Sequence, residues 1–286
     1  MTFSADRLTS RTLLDCSAAE QAAAMNRSFE QYIVPLRFEV ASFQRRFRGE
    51  HLDAEASRLW YCGEELVGVV YISRRGHTSR VAAMGLVVEA RGQGLGRPML
   101  QTAITEARQR GDQNIMLEVF TNNAPAIRLY ERLGFHITRT LSGFAAPAES
   151  AASAGPVAEK LVKADPAVVA RHISRHGDEA LPWMLAGETL AATTAPYVQA
   201  WQLADGKAFA LLRPEADKTV LLSLVVPAEL RRQGWGTRLL RALEAQYAGK
   251  PLLMPCLLPP GAGQEFLRAC GWAQTALELH EMEQAL

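Results

Sequence analysis

The residue types best suited to holding an anion lie in one heptapeptide, Arg91-Gly92-Gln93-Gly94-Leu95-Gly96-Arg97. It follows an apolar, β-branched run from Val81 to Val88, which has strand length. It precedes Met99, Leu100, Ala103, Ile104 and Ala107, a stripe at helical spacing that ends near Gly111. A strand that feeds a helix through such a turn leaves the first helical N–H groups without carbonyl partners, at the positive end of the helix dipole. That is an anion site. Glycines let a phosphate approach the backbone, Arg91 and Arg97 add charge that suits a diphosphate, and Pro98 fits a first turn that needs no N–H. The competing reading is a tight strand-to-helix connection with no ligand. A dinucleotide is disfavoured, because G-x-G-x-x-G meets Arg97 in one register and Met99 in the other, and no Gly-Lys-Ser/Thr closes the turn.

The elements that must position this turn occur twice. Glu89, Arg91, Gln93, Gly94, Gly96 and Leu100 recur as Glu229, Arg231, Gln233, Gly234, Gly236 and Leu240, at a constant offset of 140 in the numbering. The second set also follows an apolar run, Thr219 to Val226, and precedes a helical stripe of Leu239, Leu240, Leu243 and Tyr247. Upstream, Arg58 to Ser73 and Ala200 to Arg213 each read as two strands joined by a polar turn. Each half opens on a helix: Ser17 with Glu20 has capping-box spacing, and Asp165 with Pro166 supplies an N-cap and an N1 proline. Between the halves, Phe144 to Glu159 has the Ala, Ser, Gly and Pro content of a linker. The expected organisation is a duplicated α/β domain, 1–145 and 159–286, with 146–158 as linker.

At 286 residues the chain suits two small domains better than one core. A formal net charge of +1 offers no basic excess to attract nucleic acid or an anionic membrane surface. Cys16, Cys62, Cys256 and Cys270 are scattered without the paired spacing of a zinc site or a disulfide framework, so neither a metal nor a disulfide is expected. No apolar stretch approaches membrane-span length and the first twenty residues do not read as a signal peptide, so a cytoplasmic location is expected.

The Arg/Gln-x-x-Gly-x-Gly pattern after a strand resembles the acetyl-CoA cradle of the GNAT superfamily of N-acetyltransferases. The segment Glu118 to Phe135, with its Asn, Ala, Leu-Tyr and Gly-Phe, is similar to that family's second signature. The resemblance implies an α+β mixed sheet in each of two tandem domains, mostly antiparallel, flanked by helices and splayed to receive acetyl-CoA. It implies that Met84, Gly85 and Leu86 pair with the pantetheine arm, that Arg91, Gly92, Gln93, Gly94, Leu95, Gly96 and Arg97 hold the diphosphate, and that Asn123 sets its amide against the pantetheine. As a residue ahead of Pro125, Asn123 is equally a helix N-cap.

Tyr130 shares a helix face with Ile127 and Leu133 and reads by itself as a core aromatic; the resemblance makes it the candidate acid. Glu118 shares a strand face with Met116 and Phe120, opposite Ile115, Leu117 and Val119, which leaves it at a solvated face or in a pocket. Bacterial acetyltransferases acting on ribosomal-protein N-termini resemble this stretch and carry a Glu base and a Tyr acid at the same separation, so Glu118 is the candidate base. In the second half, aligning Gly271-Trp272 with Gly134-Phe135 puts Leu267, Pro260 and Pro255 at the positions of Tyr130, Asn123 and Glu118, so a structural or substrate-shaping role is expected there. The expected function is acetyl transfer to an amine of a small molecule or peptide. The alternatives are a CoA-binding sensor without turnover and the transfer of another acyl group. The acceptor site is expected in the opening helices, Ala18 to Arg48, whose Phe29, Tyr32, Phe38, Phe43 and Phe47 read mainly as core.

Overall fold

A computed structural model of the 286-residue chain describes residues 3–147, 159–178, 180–193 and 195–286. It divides into two compact units, 1–138 with 281–286, and 139–280. The first holds β1 (Leu8–Thr12), α1 (Ala18–Ser28), α2 (Val40–Gly49), β2 (Leu52–Cys62), β3 (Glu65–Arg75), β4 (Thr78–Leu86), α3 (Gly96–Gln109), β5 (Asn114–Phe120), α4 (Ala124–Arg132) and the start of β6 (His136–Ala145). The second holds the rest of β6, then β7 (Leu161–Ala164), α5 (Pro166–His176), α6 (Gly187–Ala191), β8 (Gln199–Leu203), β9 (Phe209–Pro214), β10 (Thr219–Val225), α7 (Trp235–Gln246), β11 (Leu252–Leu258), α8 (Gln264–Ala269) and most of β12 (Ala273–Ala285).

In the first unit the strands run β1-β2-β3-β4-β5 and then the end of β12. The first four pair antiparallel, and β4 pairs parallel with β5. One face of this sheet packs on α1 and α2 through Met25, Phe29, Phe43 and Phe47, and the other on α3 and α4 through Met99, Leu100, Ile104 and Tyr130. β3 is therefore buried on both faces, with Val70 and Ile72 on the α3 side and Val69 and Tyr71 on the α1 side. α1 begins with the expected capping box, the Ser17 hydroxyl accepting from the Glu20 N–H while Glu20 accepts from the Ser17 N–H.

β4 departs from regular pairing at one residue. Tyr71 faces Ala83 and Ile72 faces Val81, so Ala82 is the extra residue of a β-bulge. An extra residue flips every later side chain to the opposite face. Val81 thus belongs to the α3 core and Ala83, two positions on, to the α1 core. The parallel pairing with β5 also stops here, its last pair being Val81 with Leu117. The second unit repeats the device 140 positions later: Leu221 faces Leu212 and Ser223 faces Leu211, so Leu222 is the bulged residue, and its parallel β10–β11 pairing stops at Val220 with Leu253.

Two boundaries differ from the sequence reading. Phe144 and Ala145, read as the start of the linker in Phe144 to Glu159, are strand residues of β6 paired with Met254 and Leu253; Phe144 is fully buried. Residues 148–158 lie outside the described residues. The division between units falls inside β6, and the last six residues return to the first unit. There Met282 is fully buried in the α3-side core, Asn114 donates to the Glu283 carboxylate at 2.7 Å, and the Leu286 N–H donates to the Gln113 carbonyl at 2.9 Å. Gly134 has φ +97°, and an added Cβ would lie 2.9 Å from the Gln284 amide.

The closing residues are therefore part of the first unit's core. Met282→Ala is expected to cost about 2–5 kcal/mol in chemical unfolding, the range for emptying a buried methionine site. Removal of 281–286 should lower stability at least as much.

Candidate functional site

The glycine turn is built by side chains that bond its own backbone. The Arg91 guanidinium donates from Nε to the Leu86 carbonyl at 3.0 Å, and from Nη2 to the Ser28 and Glu30 carbonyls at 3.3 and 2.5 Å. Gln93 donates to the Glu89 carbonyl at 2.6 Å and accepts the Phe3 N–H at 2.8 Å. These contacts add a role that the sequence reading did not give Arg91: its Nε and Nη2 donate to carbonyls and lock the turn to the end of α1. Arg97, exposed in the first turn of α3, keeps the position from which an anion would be reached.

Gly92 and Gly94 have φ of +75° and +78°, where side chains are disfavoured, and an added Cβ at either would meet nothing within 4 Å. The N–H groups of Gly92, Gly94, Leu95 and Gly96 donate to no acceptor among the described residues. Gly96 has a different reason for being glycine. A Cβ there would lie 3.1 Å from Leu129 and 3.2 Å from Met84, so its lack of a side chain lets α4 close over the turn. The surface beside the turn is thus open, lined by free amides and fitted to a phosphate group.

From this turn a cleft runs back along β4. Beyond Val81 and Leu117 the two parallel strands are no longer paired, so Met84, Gly85 and Leu86 bond β3 on one side and leave their other backbone edge unpaired by β5. The bulge aims Met84 and Leu86 at the α3-side core and Gly85 at the α1 side, where a Cβ would lie 2.7 Å from the Phe29 ring. Buried backbone polar groups need partners, so such an edge is a template for an extended ligand with amide groups.

At the far end of β5, Asn123 caps α4, its Oδ1 accepting the Ala126 N–H at 3.4 Å. Tyr130, about two helical turns further, is 7% exposed, with its ring 6.0 Å from that of Phe135. Its hydroxyl donates to no acceptor among the described residues. Burial raises the phenol above its ordinary value and the neighbouring Tyr32 adds to the rise, so Tyr130 is neutral and a donor at physiological pH. Tyr32 itself, read from sequence as a core aromatic, lies at this end of the cleft; its ring is 5.9 Å from Phe120.

Glu118 occupies the expected face of β5 but is in neither of the expected settings. It is held in a buried ion pair, both carboxylate oxygens accepting from Arg80 Nε at 3.1 and 2.8 Å, with a further Nη2 contact at 2.8 Å. Arg80 also donates to Glu50 at 2.8 Å, and Arg46 donates to the other Glu50 oxygen at 2.7 Å. Side-chain exposures of 5% for Arg80, 5% for Glu118 and 1% for Glu50 mark the ladder as desolvated, with Arg46 at its half-exposed end. Burial alone would raise Glu50, but Arg46 and Arg80 outweigh it and hold the carboxyl below the usual range. The Arg80 guanidinium engages both Glu118 oxygens, so the carboxylate stands as the counter-ion of a buried cation.

Comparison with known proteins decides the family. Residues 22–135, which contain the turn, the cleft and Tyr130, match the model of the Acetyltransferase (GNAT) family. Residues 22–135 form a GNAT domain. It is 32% identical over 89 residues to a mycothiol acetyltransferase of Corynebacterium glutamicum (strain R), across 31% of this chain and 30% of that protein. It is 41% identical over 63 residues to N-alpha-acetyltransferase 30 of Schizosaccharomyces pombe, across 21% of this chain and 42% of that protein. The matched stretches thus span less than half of these curated relatives. Among solved structures, a tandem GNAT protein from the clavulanic acid biosynthesis pathway shares the fold at a TM-score of 0.65 and 14% identity, covering 97% of this chain and 98% of that one.

The second unit keeps the turn. Arg231 bonds the Val226 carbonyl at 3.2 Å and the His176 carbonyl, and Gln233 bonds the Glu229 carbonyl at 3.2 Å. Arg232 stands where the first turn has Gly92 and still adopts φ +64°, an unfavourable conformation for a non-glycine residue. Its chemistry is different: Leu267 is a core residue on the short α8, and Pro255 lies within β11, where pairing with β6 is irregular. Among the described residues of the chain there is no cluster of metal-ligating side chains, and no helix is long and apolar enough to cross a membrane.

The ladder behind Glu118 makes a testable demand. Arg80→Met, which leaves two buried carboxylates short of their shared cation, is expected to cost about 3–5 kcal/mol in urea unfolding. Because the folded-state value of Glu50 is depressed, its contribution is full above the unfolded value of about 4.3 and is lost as pH falls through the lower folded value. Stability of Glu50→Gln should therefore decline less steeply below about pH 4 than that of the wild type.

Proposed function

We propose that this chain is an acetyl-CoA-dependent N-acetyltransferase whose working site lies in the first unit, with an amine of a small molecule or peptide as acceptor. The parting of β4 and β5 beside an open glycine turn carries the reading. It pairs a seat for a diphosphate with an unpaired strand edge for the amide-bearing arm, in the order that coenzyme A requires. The relatives support acceptors of more than one kind, one being named for mycothiol and another as an N-alpha-acetyltransferase.

In this reading Gly92 to Gly96 hold the diphosphate on main-chain N–H groups with Arg97 beside them, while Arg91 and Gln93 hold the turn in shape. Met84, Gly85 and Leu86 pair with the pantetheine arm, and the Asn123 side chain meets it at the end of β5. Acetyl-CoA, when bound, supplies the thioester carbonyl for attack and a sulfur leaving group. Tyr130 gives its proton to the sulfur that keeps the C–S electron pair as the amine forms the C–N bond, and it regains a proton from the amine through water. Glu118 acts as the counter-ion of Arg80, so the amine loses its proton to water and not directly to a carboxylate.

Calorimetric titration with acetyl-CoA should detect a site that Gly94→Val weakens at least about tenfold, because that substitution strains the turn and fills the cradle. Gly234→Val should leave that site unchanged. Failure to bind coenzyme A in any form would overturn the proposal, and binding without thiol release in a screen of amines would reduce it to a sensor. Tyr130→Phe should lower kcat by about 10²-fold. Acetyl-CoA affinity should stay within about twofold and no new pH dependence should appear between about pH 7 and 9, since the raised phenol does not titrate there.

A further inference from the structure

The second unit gathers positive charge on one face of α5. Positions 168, 171, 172 and 175 follow helical spacing, so Val168, Arg171, His172 and Arg175 stand together, and with Ser174 they line a groove of about 540 Å³. Arg171 and Arg175 are exposed and have no hydrogen bond or ion pair among the described residues. His172 is fixed by stacking: its ring centroid lies 3.9 Å from that of Phe209 at an interplanar angle of 16°, and 5.8 Å from that of His176 at 20°. The His172 Nδ1 is enclosed and meets no partner among the described residues.

The first unit shows that the fold does not require this charge. In each unit the arginine of the glycine turn holds the carbonyl of the last residue of the opening helix, Arg91 that of Ser28 and Arg231 that of His176. Counted back from those residues, α1 has Ala23, Ala24 and Arg27 where α5 has Arg171, His172 and Arg175. Arg27 is compensated, with Glu89 at 3.5 Å and Glu30 at 4.0 Å. Arg175 and His176, in the last turn of α5, complement the negative end of the helix dipole, but Arg171 lies a turn earlier, beyond the reach of that effect. Burial lowers the His172 imidazole from its ordinary value, and the charges of His176, Arg171 and Arg175 lower it further against a smaller rise from Glu229, so the ring is neutral at physiological pH.

Guanidiniums one helical turn apart present planar forks of donors, the arrangement that matches the oxygens of an anion. Two of them without counter-ions favour a group carrying two negative charges over a carboxylate, which carries one. We propose that this groove binds the phosphate group of a small molecule, with Arg171 and Arg175 paired to its oxygens and Val168, His172 and Ser174 forming the rest of the wall. The site is separate from the acetyl-CoA cleft of the first unit and does not depend on that reading. It gives the second unit a binding role of its own, although Pro260 and Leu267 stand where the first unit has Asn123 and Tyr130.

Both arginines are exposed, so Arg171→Gln combined with Arg175→Gln removes the charge without emptying the core, and the unfolding midpoint should stay that of the wild type. Inorganic phosphate is titrated at constant ionic strength and about pH 8, where it is mainly a dianion, while the imidazole resonances of His172, assigned with His172→Gln, are followed by NMR. They are expected to shift saturably, because the phosphate charge acts on a ring already sensitive to both arginines. The double variant should weaken this binding at least about tenfold, and acetate should bind at least about tenfold more weakly than phosphate. Arg97→Gln, which alters the first unit's turn, should leave the response unchanged. A shift that does not saturate, one that acetate matches, or one that persists in the double variant overturns the proposal.

Discussion

The site depends on the point at which two parallel strands stop sharing hydrogen bonds. Backbone N–H and C=O groups are obligatory partners, and a strand that leaves its neighbour in the middle of a sheet must find others. The extra residue at Ala82 brings β4 to that point: it breaks the regular register with β3 and exchanges the faces of everything that follows. Once pairing ends at Val81 and Leu117, the edges of Met84 to Leu86 and of Glu118 to Phe120 separate, and the chain of β4 runs on into a turn where the N–H groups of Gly92, Gly94, Leu95 and Gly96 donate to no acceptor among the described residues. One bulge therefore creates both an open edge and the approach to an anion seat.

Keeping such an opening from collapsing takes packing on both sides of it. On one side Phe29 lies on Gly85, and Arg91 fastens three carbonyls; on the other, Leu129 lies on Gly96 and brings α4 to the mouth of the cleft. Behind the cleft, the ladder from Arg46 through Glu50 and Arg80 to Glu118 ties the end of α2 to both diverging strands. Buried ion pairs contribute little net stability once desolvation is counted, but their loss is costly because the remaining charge is stranded. The ladder therefore acts more as a geometric constraint than as a source of stability.

Much of this is legible in the sequence where the cause is local. The turn, the caps at Ser17, Asn123 and Asp165, the alternation of Ile115, Leu117 and Val119 against Met116 and Glu118, and the repeat at an offset of 140 all follow from short-range pattern. What is not legible is pairing across distance. Arg80 stands 38 positions from Glu118 and 30 from Glu50, and nothing in the strand pattern around it marks a buried cation. Tyr32 looks like any aromatic near the end of an amphipathic helix, because its place beside the end of β5 comes from Gln31 turning the chain and from Phe120, far along the sequence. The exchange of the last six residues into the first unit is hidden for the same reason: Met282 reads as one apolar residue in a polar strand until Asn114 and Gln113 are seen beside it.

The second unit separates what the shared residues do from what the chemistry needs. Arg231 and Gln233 repeat the carbonyl contacts of Arg91 and Gln93, and Leu222 repeats the bulge, so the motif that is easiest to recognise is an architectural one. Arg232 shows how strongly the fold demands that shape, since it holds a left-handed conformation of the kind that costs non-glycine residues of order 1 kcal/mol. Phe266 packs on Gly236 as Leu129 does on Gly96, preserving the closure of the helix over the turn. Where the first unit has Asn123 and Tyr130, however, the second has Pro260 and a buried leucine, Leu267, and its α8 is six residues long against nine for α4. A turn can thus be retained because a strand-to-helix connection of this form requires it. The proposal of a first-unit site therefore rests on Asn123 and Tyr130 of α4, and the glycines alone would not distinguish the two units.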